Sequence, residues 1–245
     1  MTTLLNISIL LCLWIISFSL SWYFLSHNNF YYATWYQLLD IDQTIKTYSP
    51  QNRFGKQNFV QTNAEQHELL FSEIVTAINN GGNNLKSISY KLNNVKMHDE
   101  VNHYPLLTQA EVIHLKDVAT IIGYIKRLFC LSVILVMISI GVVLRTKCMQ
   151  AWTFQEQFRK TLVGVSLLLL ATLLVGPKDF FYWLHEVVFP SNHQWFFYYQ
   201  DSLMSTIMQA PNIFGPISIL WISLAFVFQN ILTVLFQCFT TRKVS

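Results

Sequence analysis

Glu111, His114 and Asp117 recur at intervals of three along the chain. On an α-helix that spacing sets neighbours on adjoining turns, so one imidazole has a carboxylate on either side. A carboxylate beside an imidazole fixes its tautomer and raises its basicity. A second imidazole, His185, stands in the aromatic stretch FFYWLHEVVFP. Glu186 follows it directly, but adjacent helical residues do not face each other. Asp179 or Asp201 would have to reach His185 through the fold. Two imidazoles at a lipid–water boundary can work as base and acid, or as ligands to a metal or haem. There is no G-x-S-x-G elbow, no phosphate-binding glycine loop and no H-E-x-x-H, and no cysteine lies near either histidine. Glu111-x-x-His114 has the carboxylate–histidine spacing of metal sites in helix bundles, but those use two copies and this chain has one. His27, His67, His98, His103 and His193 lie in polar sequence and read as solvated side chains.

The elements that must hold these residues follow from charge and hydropathy. The chain has 245 residues, 53% hydrophobic and only 12% charged, with a net charge of +3. That composition predicts a membrane protein with one substantial region outside the bilayer, and it argues against a nucleic-acid partner. The four cysteines show neither metal-ligand nor disulfide-framework spacing and read as apolar filler. Leu4 to Leu25 is a charge-free run long enough to cross about 30 Å of hydrocarbon. The first charged side chain is Asp40, so the basic start of a cleaved signal peptide is missing and residues 1–27 are expected to stay as span one.

Residues 28–107 are polar and patterned, and predict a small α+β cap between spans one and two. Phe30-Tyr31-Tyr32 and Trp35-Tyr36 suit an interfacial aromatic belt. Asn63 and Gln66 mark a helix start, Leu69, Leu70, Ile74, Val75 and Ile78 its apolar stripe, and Gly81-Gly82 its end. Ile88, Tyr90 and Leu92 alternate as in a strand with one buried face. Thr108 and Glu111 then form a T-x-x-E capping box opening residues 108–146. No charge follows Arg127 until Arg145, so one helix carries the acid–imidazole–acid ladder to the membrane and continues into it as span two. Residues 147–160 form a basic loop and 161–176 a short span three. Residues 177–212 form an amphipathic aromatic segment lying at the interface, 213–240 span four, and 241–245 a tail. The fold class is thus a mainly α membrane protein with four transmembrane helices. Arg145, Lys147, Arg159, Lys160, Arg242 and Lys243 mark the cytoplasmic side. Both termini are then inside, and His114 and His185 approach the same outer membrane surface.

The segments EVIHLKDV at 111–118 and WLHEVVFPSNHQW at 183–195, followed by Asp201-Ser202-Leu203 and Pro211, resemble the bacterial lipoprotein intramolecular transacylase (Lit) family. The resemblance is anchored over about residues 105–215. It implies an acyltransferase of Gram-positive bacteria, in the cytoplasmic membrane. Such an enzyme moves the sn-2 acyl chain of a diacylglyceryl-modified lipoprotein to the α-amine of that protein's own N-terminal cysteine, leaving a lyso-form lipoprotein. The functional histidines of the family would fall on His114 and His185. The reaction suits His114 as base, oriented by Asp117 or Glu111, with His185 steadying the oxyanion or returning the proton and Asp201 a supporting carboxylate; which histidine is base and which acid stays open. Asn192, Trp195 and the aromatic run Phe196-Phe197-Tyr198-Tyr199 would line the substrate path. The resemblance implies no cofactor or metal; the partners expected are the lipoprotein and membrane lipids, with the protein itself a monomer. A bis-histidine haem or metal carrier and a non-enzymatic scaffold or receptor stay open as alternatives.

Overall fold

The computed structural model describes residues 2–92, 103–146 and 154–241. His98, Lys147, Cys148, Arg242 and Lys243 lie outside the described residues. The chain divides into two compact units.

The first unit comprises Met1–Phe24, Tyr124–Pro177 and Ser218–Ser245. It is built from long apolar helices: α1 (Thr2–His27), α5 (Gln109–Thr146), α6 (Phe154–Val175) and α9 (Phe214–Thr241), of which α1, α5 and α9 also give residues to the other unit. All four are long and apolar enough to cross a membrane. Ile9, Leu13 and Phe236 are buried together, with Leu5, Val136, Ile140 and Leu232 packed around them. Polar side chains tie helices across this unit: Ser17 Oγ donates to Gln229 Oε1 (3.1 Å), and Gln157 Nε2 to Thr233 Oγ1 (2.8 Å). By contrast, α6 turns Leu167, Leu170, Leu173 and Leu174 outward, the pattern expected of a helix facing lipid. The helix that contains the span expected over 161–176 begins earlier, at Phe154. Glu156, Arg159 and Lys160 occupy its first turns, where long charged side chains reach out of the hydrocarbon.

The second unit comprises Leu25–Gly123 and Lys178–Ile217. It holds α2 (Tyr32–Leu38), α3 (Ile41–Tyr48), α4 (Ala64–Asn79), β1 (Ser89–Lys91), β2 (His103–Pro105), α7 (Pro177–Val188) and α8 (Leu203–Ile207), with the first turns of α5. The Asn63 side chain caps α4 by accepting from the Gln66 amide, and Gly81 and Gly82 end it with φ of +73° and +79°. Leu70, Phe71, Ile74 and Val75 bury its inner face; Leu69 is exposed. β1 and β2 pair antiparallel with Tyr90 opposite Tyr104, and Tyr90 is fully buried. The aromatic-belt reading of residues 30–36 is corrected in part. Tyr32 is fully buried, stacks on Phe71 at 4.2 Å between centroids and donates to the Ile207 carbonyl, and Phe30 is buried as well. An aromatic run just past a span looks the same in sequence whether lipid or protein covers it.

Candidate active site

The capping box forms as its residues dictate: the Thr108 amide donates to a Glu111 carboxylate oxygen, and the Glu111 amide to Thr108 Oγ1. This fixes the first turn of α5, and His114 follows one turn later. On α7, Gly176 adopts φ +96° and breaks the chain between α6 and Pro177, which starts the helix that carries His185. The two imidazoles lie with ring centroids 6.2 Å apart. Four aromatic side chains wall them. Phe189 is 4.7 Å from the His114 centroid and 5.1 Å from that of His185. Phe181 and Trp195 lie 4.0 and 5.0 Å from His185, and Phe197 lies 6.1 Å from His114.

The two rings differ in hydrogen bonding. His185 Nδ1 is 2.8 Å from the carbonyl oxygen of Phe181, one turn back. A carbonyl oxygen only accepts, so Nδ1 carries a proton in either charge state, and the neutral ring presents the Nε2 lone pair. His114 is 8% exposed, and among the described residues its buried Nδ1 has no hydrogen-bond partner. An orphaned lone pair costs less than an orphaned N–H, which favours the tautomer with the proton on Nε2. Burial pushes His114 from 6.5 down to about 4; the nearby His185 adds to the shift and Asp117 opposes it. Burial also lowers His185, with the Phe181 carbonyl opposing. Both rings are therefore neutral at pH 7: one offers a lone pair, the other an N–H, within an aromatic wall that buries His114 and half-buries His185.

The carboxylates expected to orient His114 make their hydrogen bonds elsewhere. Glu111 is fully buried and accepts from Ser202 Oγ, which in turn caps α8 by accepting from the Ser205 amide. Asp117 Oδ2 lies 2.7 Å from His193 Nδ1. Asp201 pairs with Arg53 at 3.4 Å rather than with an imidazole. Of the residues expected along a substrate path, Trp195 flanks His185, Phe196 packs on Trp195 and Tyr182 while 41% exposed, and Asn192 is exposed. Phe197, part of the aromatic run 196–199 expected along the substrate path, does flank His114, whereas Phe181, Phe189, Ser202 and His193 were given no role at the site from sequence. For Phe181 and Phe189 the signal was present, as rings spaced four residues to either side of His185 in the same aromatic stretch. Two histidines read as solvated are not: His193 binds Asp117, and His67 is 1% exposed between Tyr36 Oη and Thr62 Oγ1.

The profile of the lipoprotein intramolecular transacylase Lit family matches residues 5–214. The in meso structure of the membrane integral lipoprotein intramolecular transacylase Lit from Bacillus cereus is similar with a TM-score of 0.68. The identity is 13%, over 100% of this chain and 98% of that one. The same protein carrying a histidine-to-arginine mutation gives a TM-score of 0.66 at 14% identity, over 100% of this chain and 94% of that one. At such identities the likeness is one of fold. No curated protein sequence matches the chain.

Proposed function

The chain belongs to the Lit family of lipoprotein intramolecular transacylases, multi-pass membrane acyltransferases, and from that premise we propose that it moves the sn-2 acyl chain of a diacylglyceryl-modified lipoprotein onto the α-amine of its N-terminal cysteine, using His114 and His185. The observation that carries this reading is the pair of imidazoles with ring centroids 6.2 Å apart inside an aromatic wall. Donor ester and acceptor amine belong to one molecule, so holding them together supplies much of the acceleration and no enzyme nucleophile is needed.

The bond between His185 Nδ1 and Phe181 supports His185, rather than His114, as the base. The amine nitrogen attacks the ester carbonyl and a C–N bond forms. Negative charge gathers on the carbonyl oxygen, and the Nε2–H of His114 donates to it. His185 Nε2 takes a proton from the now cationic nitrogen. The oxyanion collapses, the C–O bond to the glycerol breaks, and His185 returns that proton to the departing oxygen. The products are an amide and a free sn-2 hydroxyl.

Membrane lipid is the second partner proposed. α7 exposes Trp183, Leu184, Val187 and Val188, an apolar flank suited to the acyl-chain level of a bilayer. The basic residues between spans two and three, with Arg242 and Lys243, support cytoplasmic termini and a site on the extracytoplasmic side. The test is to express the chain in cells lacking other N-acylating enzymes and weigh the N-terminal lipopeptides. The N-acyl, lyso-form product is expected from the wild type and absent from His114→Ala and His185→Ala. Product at the wild-type level in either variant would reject the role of the histidine removed.

A further inference from the structure

We propose that Asp117 and His193 are a positioning pair that holds the aromatic wall against the two imidazoles; this rests on the reading of that site as the transacylase centre. Residues 190–197 run between α7 and α8 without helix or strand. This segment and the residue before it bring Phe189, Trp195 and Phe197 to the imidazoles. An irregular stretch that places three rings needs a fixed point. Within it, the His193 amide donates to the Pro190 carbonyl (3.0 Å) and Gln194 Nε2 to the Phe196 carbonyl (3.0 Å), both local bonds. Among the described residues, its side-chain hydrogen bond to another part of the chain is the one from His193 Nδ1 to Asp117 Oδ2, 2.7 Å.

The other end of that bond is well chosen. Asp117 lies one turn beyond His114 on the same helix, so the wall is fastened to the element that carries one of the imidazoles. The distance is that of a strong hydrogen bond to a carboxylate, with the imidazole N–H donating. Asp117 and His193 are 21% and 31% exposed, so neither supports a core, and their removal leaves no buried charge. Asp117 thus acts on the site through the loop and not by orienting His114 directly.

The purified full-length protein is assayed in detergent with a synthetic diacylglyceryl lipopeptide bearing a free N-terminal cysteine. His193→Ala and Asp117→Ala are expected to raise KM about tenfold with kcat within about threefold of wild type, because a loosened wall places the ester and acyl chain poorly. The double variant should be no worse than either single one. His193→Asn, whose amide nitrogen can still donate to Asp117, should return KM to within about threefold. A purely structural role would reduce the active fraction, lowering kcat at unchanged KM, and would overturn the proposal. So would effects that multiply in the double variant. His114→Ala and His185→Ala, run beside them, separate the two readings. If those are inactive while His193→Ala and Asp117→Ala keep the wild-type KM, the positioning pair alone is rejected; if those are active, the transacylase roles fall first.

Discussion

At the scale of single residues, the proposed chemistry turns on the asymmetry between the two histidines. Phe181 holds the His185 proton on Nδ1, so Nε2 is the one nitrogen of that ring able to accept and later return a proton. In the proposed reaction the relay then closes on a single atom, and turnover would draw no proton from water. Both rings stay neutral above pH 6.5, because burial lowers each. The substrate amine must also be neutral, with an α-amino pKa of about 7.7–8.0. We therefore expect kcat/KM to rise with pH to a plateau just above that range. A decline between pH 7 and 9, read from initial rates, would mean that an imidazolium is required and would contradict the neutral donor at His114. His67 gives a stability prediction. Burial pushes it down to about 4 from 6.5, with Asp42 opposing. Since the folded pKa is the lower one, its contribution is complete above pH 6.5 and is lost as pH falls through 4. The loss is on the order of 3 kcal/mol and is checked by denaturant melts at pH 7 and pH 4. His114, lowered to about 4 by the same cause, adds to the difference between the two melts, so the part that His67→Gln removes is the part that reports His67. His114 and His185 stood out in sequence as candidates because an ionisable ring in an apolar stretch needs a reason, and the fold brings the two rings within 6.2 Å. Their surroundings were less so. Ser202 is 91 residues from Glu111 and His193 is 76 from Asp117, and helical periodicity reports only partners on the same helix.

At the scale of elements, the start of α5 is fastened twice. The capping box, readable from T-x-x-E, satisfies its first amides, and Glu111 then accepts from Ser202 at the head of α8. α8 has only five residues, too few to persist without its cap and its buried face. Ser202→Ala removes that cap and leaves a fully buried carboxylate short of a donor. It should lower stability by about 2 kcal/mol in detergent-solubilised protein, while Ser202→Thr retains most of it. α4 and β1 could be foreseen, because caps, glycine stops and period-two alternation are local signals. β2 could not: His103-Tyr104-Pro105 is too short to show alternation, and only its pairing with β1 makes it a strand. Gly82 shows a constraint of the same long-range kind. A Cβ there would stand 3.0 Å from Lys116 Cγ on α5, so this helix end lies against the helix of the imidazole.

At the scale of the molecule, both imidazoles, their aromatic wall, Glu111–Ser202 and Asp117–His193 belong to the unit formed by Leu25–Gly123 and Lys178–Ile217. The number of membrane-spanning helices was plain from hydropathy alone, since long charge-free runs have few other uses. How distant segments gather into one unit was not, because it depends on contacts such as that of Tyr32 with Ile207, 175 residues apart. In the other unit, Ser17 and Gln229 join α1 to α9 by a buried hydrogen bond. Gln229→Leu should cost about 1 kcal/mol of stability, read from thermal melts in detergent, and leave KM unchanged. α6 turns most of its leucines outward and contributes no side chain to the chemistry described. Its outer face answers only to the solvent it meets, so its length and bulk are free to drift with the thickness and fluidity of the host bilayer. Adaptation to a colder or stiffer membrane would then be written there, leaving the reaction itself untouched.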